Sequence, residues 1–301
     1  MSRIRADLLL LLVALIWGAA FVAQKDAFAN VGPYTFVATR FFLSMLLVLP
    51  FAIKEYRRTA PWKKISGSGA EVSLLCCAIC AGVILQQIGI GNTTVTNAGF
   101  LTGLYVVFVP VICTVVYKQK LPRWVFLASF ISVAGIWLLS GGRLDGFSSG
   151  DALVFAGAIC FAVHVTLVSR LMSRLKAPLV LSFLQYAFIT VVAALGALLF
   201  EHPALAGMRA AALPIIYAGV VSGGIGYTMQ FIAQQYTPSS DSAIILSGES
   251  VFAAIAGAVL ISERLTLTQY GGCALITLAI VLTELMPLFS RKKKIKPSRP
   301  A

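Results

Sequence analysis

The sequence predicts an all-α membrane protein of about ten transmembrane helices, arranged as two inverted five-helix repeats. Three observations predict it: an apolar content too high for a soluble core, an internal repeat that matches polar as well as apolar positions, and a one-sided distribution of positive charge. Of 301 residues, 59% are hydrophobic and 12% charged, against about 45–50% and about 25% in soluble domains. A chain of this length still exposes much of its surface, so the medium around that surface must be lipid.

Windows of roughly 20 apolar residues place helices near 7–24, 33–53, 72–91, 96–117 and 123–140, then 151–169, 178–200, 211–235, 239–261 and 268–289. The tightest separations fall at Thr93–Val95 and Thr237–Ser240. Arg3 and Arg5, an apolar run from Leu8 to Ala23 and then Ala27-Phe28-Ala29 have the layout of a cleavable leader. The run is longer than an ordinary leader core, and removing it would break the repeat, so it is expected to remain as the first helix.

The repeat has an offset of 144 or 145 residues. Asp7 pairs with Asp151, Pro33 with Pro178, Arg40 with Gln185, Gln86 with Gln230 and Tyr105 with Glu249. Gly99-x-x-x-Gly103 pairs with Ala243-x-x-x-Ser247, and Lys120-Leu121-Pro122 with Arg264-Leu265-Thr266. Residues 1–144 form the first repeat, 145–290 the second, and 291–301 a basic cytoplasmic tail.

Charge sets the expected topology. With both termini inside, 19 of the 24 basic residues lie in inner loops and tails, among them Arg57, Lys64, Lys118, Arg174 and Arg291, while only Lys25, Arg143, Arg209 and Arg264 lie outside. Such asymmetry is the positive-inside pattern. Five helices per half then turn the second repeat upside down relative to the first. Inverted halves that exchange conformations carry a midplane site between two faces, a layout suited to a carrier. A selective channel is the alternative, and a membrane-embedded enzyme a third reading. The net charge of +13 resides in loops and tail rather than along a groove, so the basic residues point to lipid and not to nucleic acid.

Ionisable groups at bilayer depth are expensive and face the bundle interior. Glu249 lies near the middle of the ninth helix on a small-residue face shared with Ala253, Ala256 and Gly257. It reads as a substrate-amine or proton site, or as a carboxyl bridging helices. Arg40, about two turns into the second helix, holds a substrate carboxylate or snorkels outward. His164, the single histidine within a span, is a relay or a bridging donor. Gln86 with Gly82 and Gly89, and Tyr227, Gln230 and Gln234 with Gly223, form matched polar stripes that suit a cavity wall or interhelical bonding. Trp17, Tyr105 and Gln185, the last beside Ser182 and Tyr186, complete the candidates. Gly99-x-x-x-Gly103 reads as a packing notch.

All six cysteines fall in apolar segments, so Cys77-x-x-Cys80 reads as packing despite its redox spacing. H-E-x-x-H, G-x-S-x-G, Walker and dinucleotide motifs are absent. The chain is expected to be no enzyme, to need no cofactor and no ATPase subunit, and to have a small-molecule substrate and membrane lipid as its partners.

These residues carry a resemblance. The chain resembles the EamA family of the drug/metabolite transporter superfamily over essentially residues 5–290. The likeness rests on Ile16-Trp17-Gly18-Ala19-Ala20-Phe21, on Tyr34-Thr35-Phe36 with Arg40-Phe41, on Asn97-Ala98-Gly99-Phe100-Leu101, and on Leu104 to Pro110. It is strongest at Ile245-Leu246-Ser247-Gly248-Glu249-Ser250-Val251-Phe252 and Ser262-Glu263-Arg264-Leu265. Ser250 stands where many relatives carry proline, a departure that favours a straighter ninth helix. The resemblance implies ten helices, a central cavity, and transport, often efflux, of amino acids or related metabolites across the inner or plasma membrane.

Overall fold

The computed structural model describes residues 1–93, 95–141, 148–260 and 264–293, which form helices and short connections with no strand among them. In chain order the principal helices are α1 (Arg3–Ala27), α2 (Pro33–Thr59), α3 (Gly69–Gly91), α4 (Val95–Gly103 continued by Tyr105–Val115) and α5 (Arg123–Leu139). They are followed by α6 (Ser149–Leu175), α7 (Pro178–Phe200), α8 (Ala212–Ile216, Tyr217–Tyr227 and Thr228–Ala233), α9 (Ser239–Leu246 continued by Glu249–Leu260) and α10 (Leu267–Lys293). Among the described residues, eight helices are long and apolar enough to cross a bilayer: α1–α4, α6–α8 and α10. The 17 residues of α5 reach only about 26 Å, and α9 is interrupted. Arg143 and Asp145, Glu263, and the tail from Lys294 onward lie outside the described residues.

Polarity is distributed inside out. Phe130 is 71% exposed and Leu198 and Leu199 are 74% exposed, whereas Asp7, Arg40, Asp151 and Gln185 are 4%, 5%, 1% and 0% exposed. Water would reject that arrangement, and lipid requires it. The chain is a multi-pass integral membrane protein.

Helix limits depart from the apolar windows for a physical reason. α2 runs to Thr59 and α6 to Leu175, beyond the expected 53 and 169. Their last turns carry Arg57, Arg58 and Arg174, cations that suit a helix C-terminus but end a hydropathy window. Both helices stop at a left-handed residue, Ala60 (φ 40°) and Lys176 (φ 51°). Ser250 does not straighten the ninth helix. The chain breaks earlier, at Ser247–Gly248, where the Ser247 hydroxyl donates to Ile244 O at 2.6 Å and meets Ser132 Oγ of α5 at 2.7 Å. The fourth helix, expected to be continuous, breaks at Leu104, which is the repeat counterpart of Gly248. The break therefore belongs to both halves and does not depend on residue 250. Of the Gly99-x-x-x-Gly103 notch only Gly103 is packed: a Cβ there would stand 2.8 Å from Ile136 Cδ1, while nothing lies within 4 Å of one at Gly99.

Helix neighbours recur across the halves. α3 runs along α6, and α1 along α8. Within the first pair, a Cβ on Gly82 would stand 2.8 Å from the Phe161 ring; within the second, a Cβ on Gly226 would stand 2.8 Å from Trp17 Nε1. Each glycine and each aromatic ring is the 144-residue counterpart of the other. α2 and α7 are antiparallel and cap one another: Glu201, just past α7, accepts from Tyr34 N and Thr35 N at 2.8 and 2.9 Å. Glu55, near the end of α2, accepts from Val180 N at 2.9 Å. Carboxylates at helix N-termini satisfy otherwise orphaned N–H groups and complement the dipole. α5 and α10 pair with each other and contribute no residue to the central cavity.

Candidate functional site

The interrupted helices meet around one buried cavity. Tyr105 and Glu249 are the first residues after the breaks in α4 and α9, so both side chains leave the helix axis where the backbone turns. Discontinuous helices near mid-membrane are a recurrent way of building transporter sites. Trp17 and Gln24 of α1, Arg40 of α2, Gln86 and Thr102 of α3 and α4, and Phe161 and His164 of α6 also line the cavity. Ser222, Tyr227 and Gln230 of α8 close it. Its volume is about 50 Å³, room for a few water molecules or the head of a small polar solute.

The α8 wall is π-helical from Tyr217 to Tyr227, a stretch containing Gly219, Gly223, Gly224 and Gly226. Glycine lets neighbouring backbones approach this widened turn, and side chains from three other helices bond its carbonyls. Ser44 Oγ donates to Gly219 O at 2.7 Å, Trp17 Nε1 to Ser222 O at 3.1 Å, and Tyr186 Oη to Gly223 O at 3.0 Å. π segments cluster at functional sites. The glycine density was visible in the sequence, but its consequence for helix type was not read from it.

Arg40 is the cation of the site. Its guanidinium sits 5.3 Å from the Phe36 ring centroid and 4.9 Å from that of Phe41, and its Nε has no hydrogen-bond partner. Snorkelling to the surface is not what is seen, since the residue is 5% exposed. The Tyr227 phenol interacts electrostatically with both Arg40 and Glu249, while no ion pair joins those two among the described residues. The Tyr105 hydroxyl faces the Glu249 carboxyl but lacks a partner at full hydrogen-bond geometry.

The amides divide. Both amide atoms of Gln230 are buried without a partner, whereas Gln86 Nε2 donates to Thr102 Oγ1 at 3.0 Å. Gln234 is a helix bridge, donating to Val165 O at 3.1 Å and to Ser169 Oγ at 2.8 Å. His164 and Gln185 join at 3.1 Å between Nε2 and Oε1. Gln185 thus stands behind His164 and, like Gln234, Ser182 and Tyr186, does not line the cavity. Trp17 has a packing role, with its ring centroid 4.6 Å from that of Tyr227, and also faces the cavity. Gln24, Thr102 and Ser222 are cavity residues that the sequence did not single out. Gln24 lies beside Lys25 at what the hydropathy window makes the helix end, yet α1 continues to Ala27. The six cysteines are free, and Cys77 is exposed while Cys80 is buried.

A bundle of lipid-facing helices around a cavity lined by charged and polar side chains defines a membrane transport protein. The chain belongs to the EamA-like transporter family, whose model matches it twice, over residues 4–141 and 148–285. It is 34% identical over 284 residues to an uncharacterized transporter of Archaeoglobus fulgidus, covering 94% of this chain and 87% of the relative. A second uncharacterized transporter of that organism is 24% identical over 93% of this chain and 98% of its own length. A solved crystal structure superposes with a TM-score of 0.78 over 95% of this chain and 98% of the other at 17% identity, a likeness of fold alone.

Proposed function

We propose that this protein is a secondary transporter that exports a small polar metabolite, an amino acid or a related zwitterion, across the inner or plasma membrane by alternating access. The observation that carries this reading is the presence of one guanidinium and one carboxyl, Arg40 and Glu249, in the same small cavity without pairing to each other. A buried charge left unpaired is strongly unfavourable. A zwitterion answers both at once: its carboxylate meets the planar fork of Arg40, its ammonium meets Glu249, and the unbonded amide of Gln230 takes a remaining polar group.

Ten spans, with both termini cytoplasmic and the second half inverted, fit this reading. Support comes from the 19-to-4 distribution of basic residues and from the recurrence of the Gly82–Phe161 contact as Gly226–Trp17. Counterflow in proteoliposomes tests the function. Liposomes preloaded with an unlabelled amino acid from a panel should take up the labelled compound faster than empty ones, because a carrier returns faster when loaded. Equal uptake at every member of the panel, with conductance instead, would make the protein a channel; a chemically altered product would make it an enzyme.

A further inference from the structure

Two hydrogen bonds, one at the N-terminal end of α1 and one at that of α6, repeat each other residue for residue. Thr237 Oγ1 donates to Asp7 Oδ1 at 2.6 Å, and Thr93 Oγ1 donates to Asp151 Oδ1 at 2.5 Å. Residues 7 and 151, and 93 and 237, are separated by the same 144 positions as the two family matches. Each bond crosses between halves. Asp7 opens α1 and is held by the α8–α9 connection; Asp151, in the first turn of α6, is held by the α3–α4 connection.

The residue four positions beyond each threonine lies in the same cluster. Asn97 hydrogen-bonds Asp151, while its counterpart Asp241 is tied to Asp7 through Arg3, with Arg3 Nη2 2.6 Å from Asp241 Oδ2 and Arg3 Nε 3.3 Å from Asp7 Oδ2. The ends are far apart. Lys25 Nζ, near the C-terminus of α1, reaches Thr93 O at 3.4 Å, so the Thr93–Asp151 bond lies at the end of α1 opposite Asp7. Trp17 and the cavity lie between them.

We propose that Thr237–Asp7 and Thr93–Asp151 are the two latches of the transport cycle, with the threonines as positioning residues that set the face to which the cavity opens. A cavity that opens at one end must part the two halves there and keep them joined at the other. The two bonds sit at those ends, cross the halves and use the same residue types at repeat-related positions. Hydroxyl-to-carboxylate bonds are charge-assisted, and losing one shifts a two-state equilibrium by roughly tenfold. Both bonds are formed in this structure. The inference rests on the alternating-access reading.

The test uses Ser222→Cys as a probe in the cavity wall, labelled by a membrane-impermeant maleimide in right-side-out and inside-out vesicles, in excess of the same protein with Ser222 intact. Thr93→Val should raise labelling from the outer face about tenfold and lower it from the inner face; Thr237→Val should do the reverse. Asp151→Asn and Asp7→Asn should follow their partners, which covers a valine variant that fails to insert. Thr93→Ser and Thr237→Ser keep the hydroxyl and should label as the parent does. Shifts in the same direction, or none, overturn the latches. Counterflow on vesicles of the protein with Ser222 intact separates that result from failure of the transport reading: exchange is present in the first case and missing in the second.

Discussion

Gly18 lies against the carbonyl oxygen of Glu249: a Cβ on residue 18 would stand 2.6 Å from that oxygen and 2.7 Å from Ala253 N. Both atoms are backbone, so no side chain can swing aside. The Trp17-Gly18 pair therefore does two things at once. The tryptophan bonds and braces the π-helical wall, and the glycine lets α1 reach the turn from which Glu249 projects. Gly18→Val should lower stability by about 1–3 kcal/mol through overpacking and displace the carboxyl from the cavity. A thermal shift together with lost transport is the expected result. Unchanged melting and transport would mean that the contact relaxes without cost.

Arg40 is held by geometry that lysine cannot reproduce. Its planar group lies near two phenyl rings and keeps an unbonded Nε. Arg40→Lys retains the charge but loses the fork and the stacking. Apparent KM should rise by about tenfold or more, the size of one charge-assisted bond, with insertion intact. Arg40→Gln should lose transport further. Normal KM in both variants would leave Arg40 as a packing residue.

Reporter fusions test the charge-derived topology. Fusions after Lys64, after Arg174 and at the C-terminus should read cytoplasmic, and one after Asp145 external, given the 19-to-4 excess. An external C-terminus with an internal N-terminus means an odd number of spans and ends the inverted-repeat reading.

Membrane class, family and most of the cavity wall were legible because burial in lipid is so costly that each polar residue inside a span announces itself. Arg40, Gln86, His164, Gln230 and Glu249 were found that way. Polarity at a window's edge, as with Gln24, or in a modest hydroxyl, as with Thr102 and Ser222, leaves no such signal. Wall and support carry the same signal: Gln230 and Gln234 look alike in sequence, yet the first is unbonded in the cavity and the second ties α8 to α6. Backbone breaks at Leu104 and Ser247–Gly248 escaped because hydropathy sees side chains, and the hydrogen-bond interruption that aims Tyr105 and Glu249 is a property of the main chain. The Thr–Asp bonds left no trace in the sequence for another reason. Asp7 and Asp151 were matched as a repeat pair, but their partners lie across the halves, 230 and 58 positions away.

Glu249 is the residue on which the site turns. It is 5% exposed, it begins the second piece of a broken helix, and its backbone is fixed by Gly18. Its repeat counterpart is Tyr105, whose hydroxyl faces it directly. The pseudo-symmetric positions thus meet each other, one as a phenol and one as an acid, so the carboxyl is not a structural requirement repeated in both halves. Glu249→Gln preserves the side-chain shape and one acceptor while removing the charge that an ammonium group would meet. The variant should insert and melt like the wild type, lose about tenfold or more of its transport, and no longer vary with pH where the wild type does. Tyr105→Phe removes the facing hydroxyl alone and should weaken transport less. Wild-type rate and unchanged pH dependence in Glu249→Gln would make the carboxyl a bridge between helices. If that variant instead loses its fold, comparison of Gln230→Ala with Gln234→Ala decides whether the cavity matters, since only the first should spare stability while lowering transport.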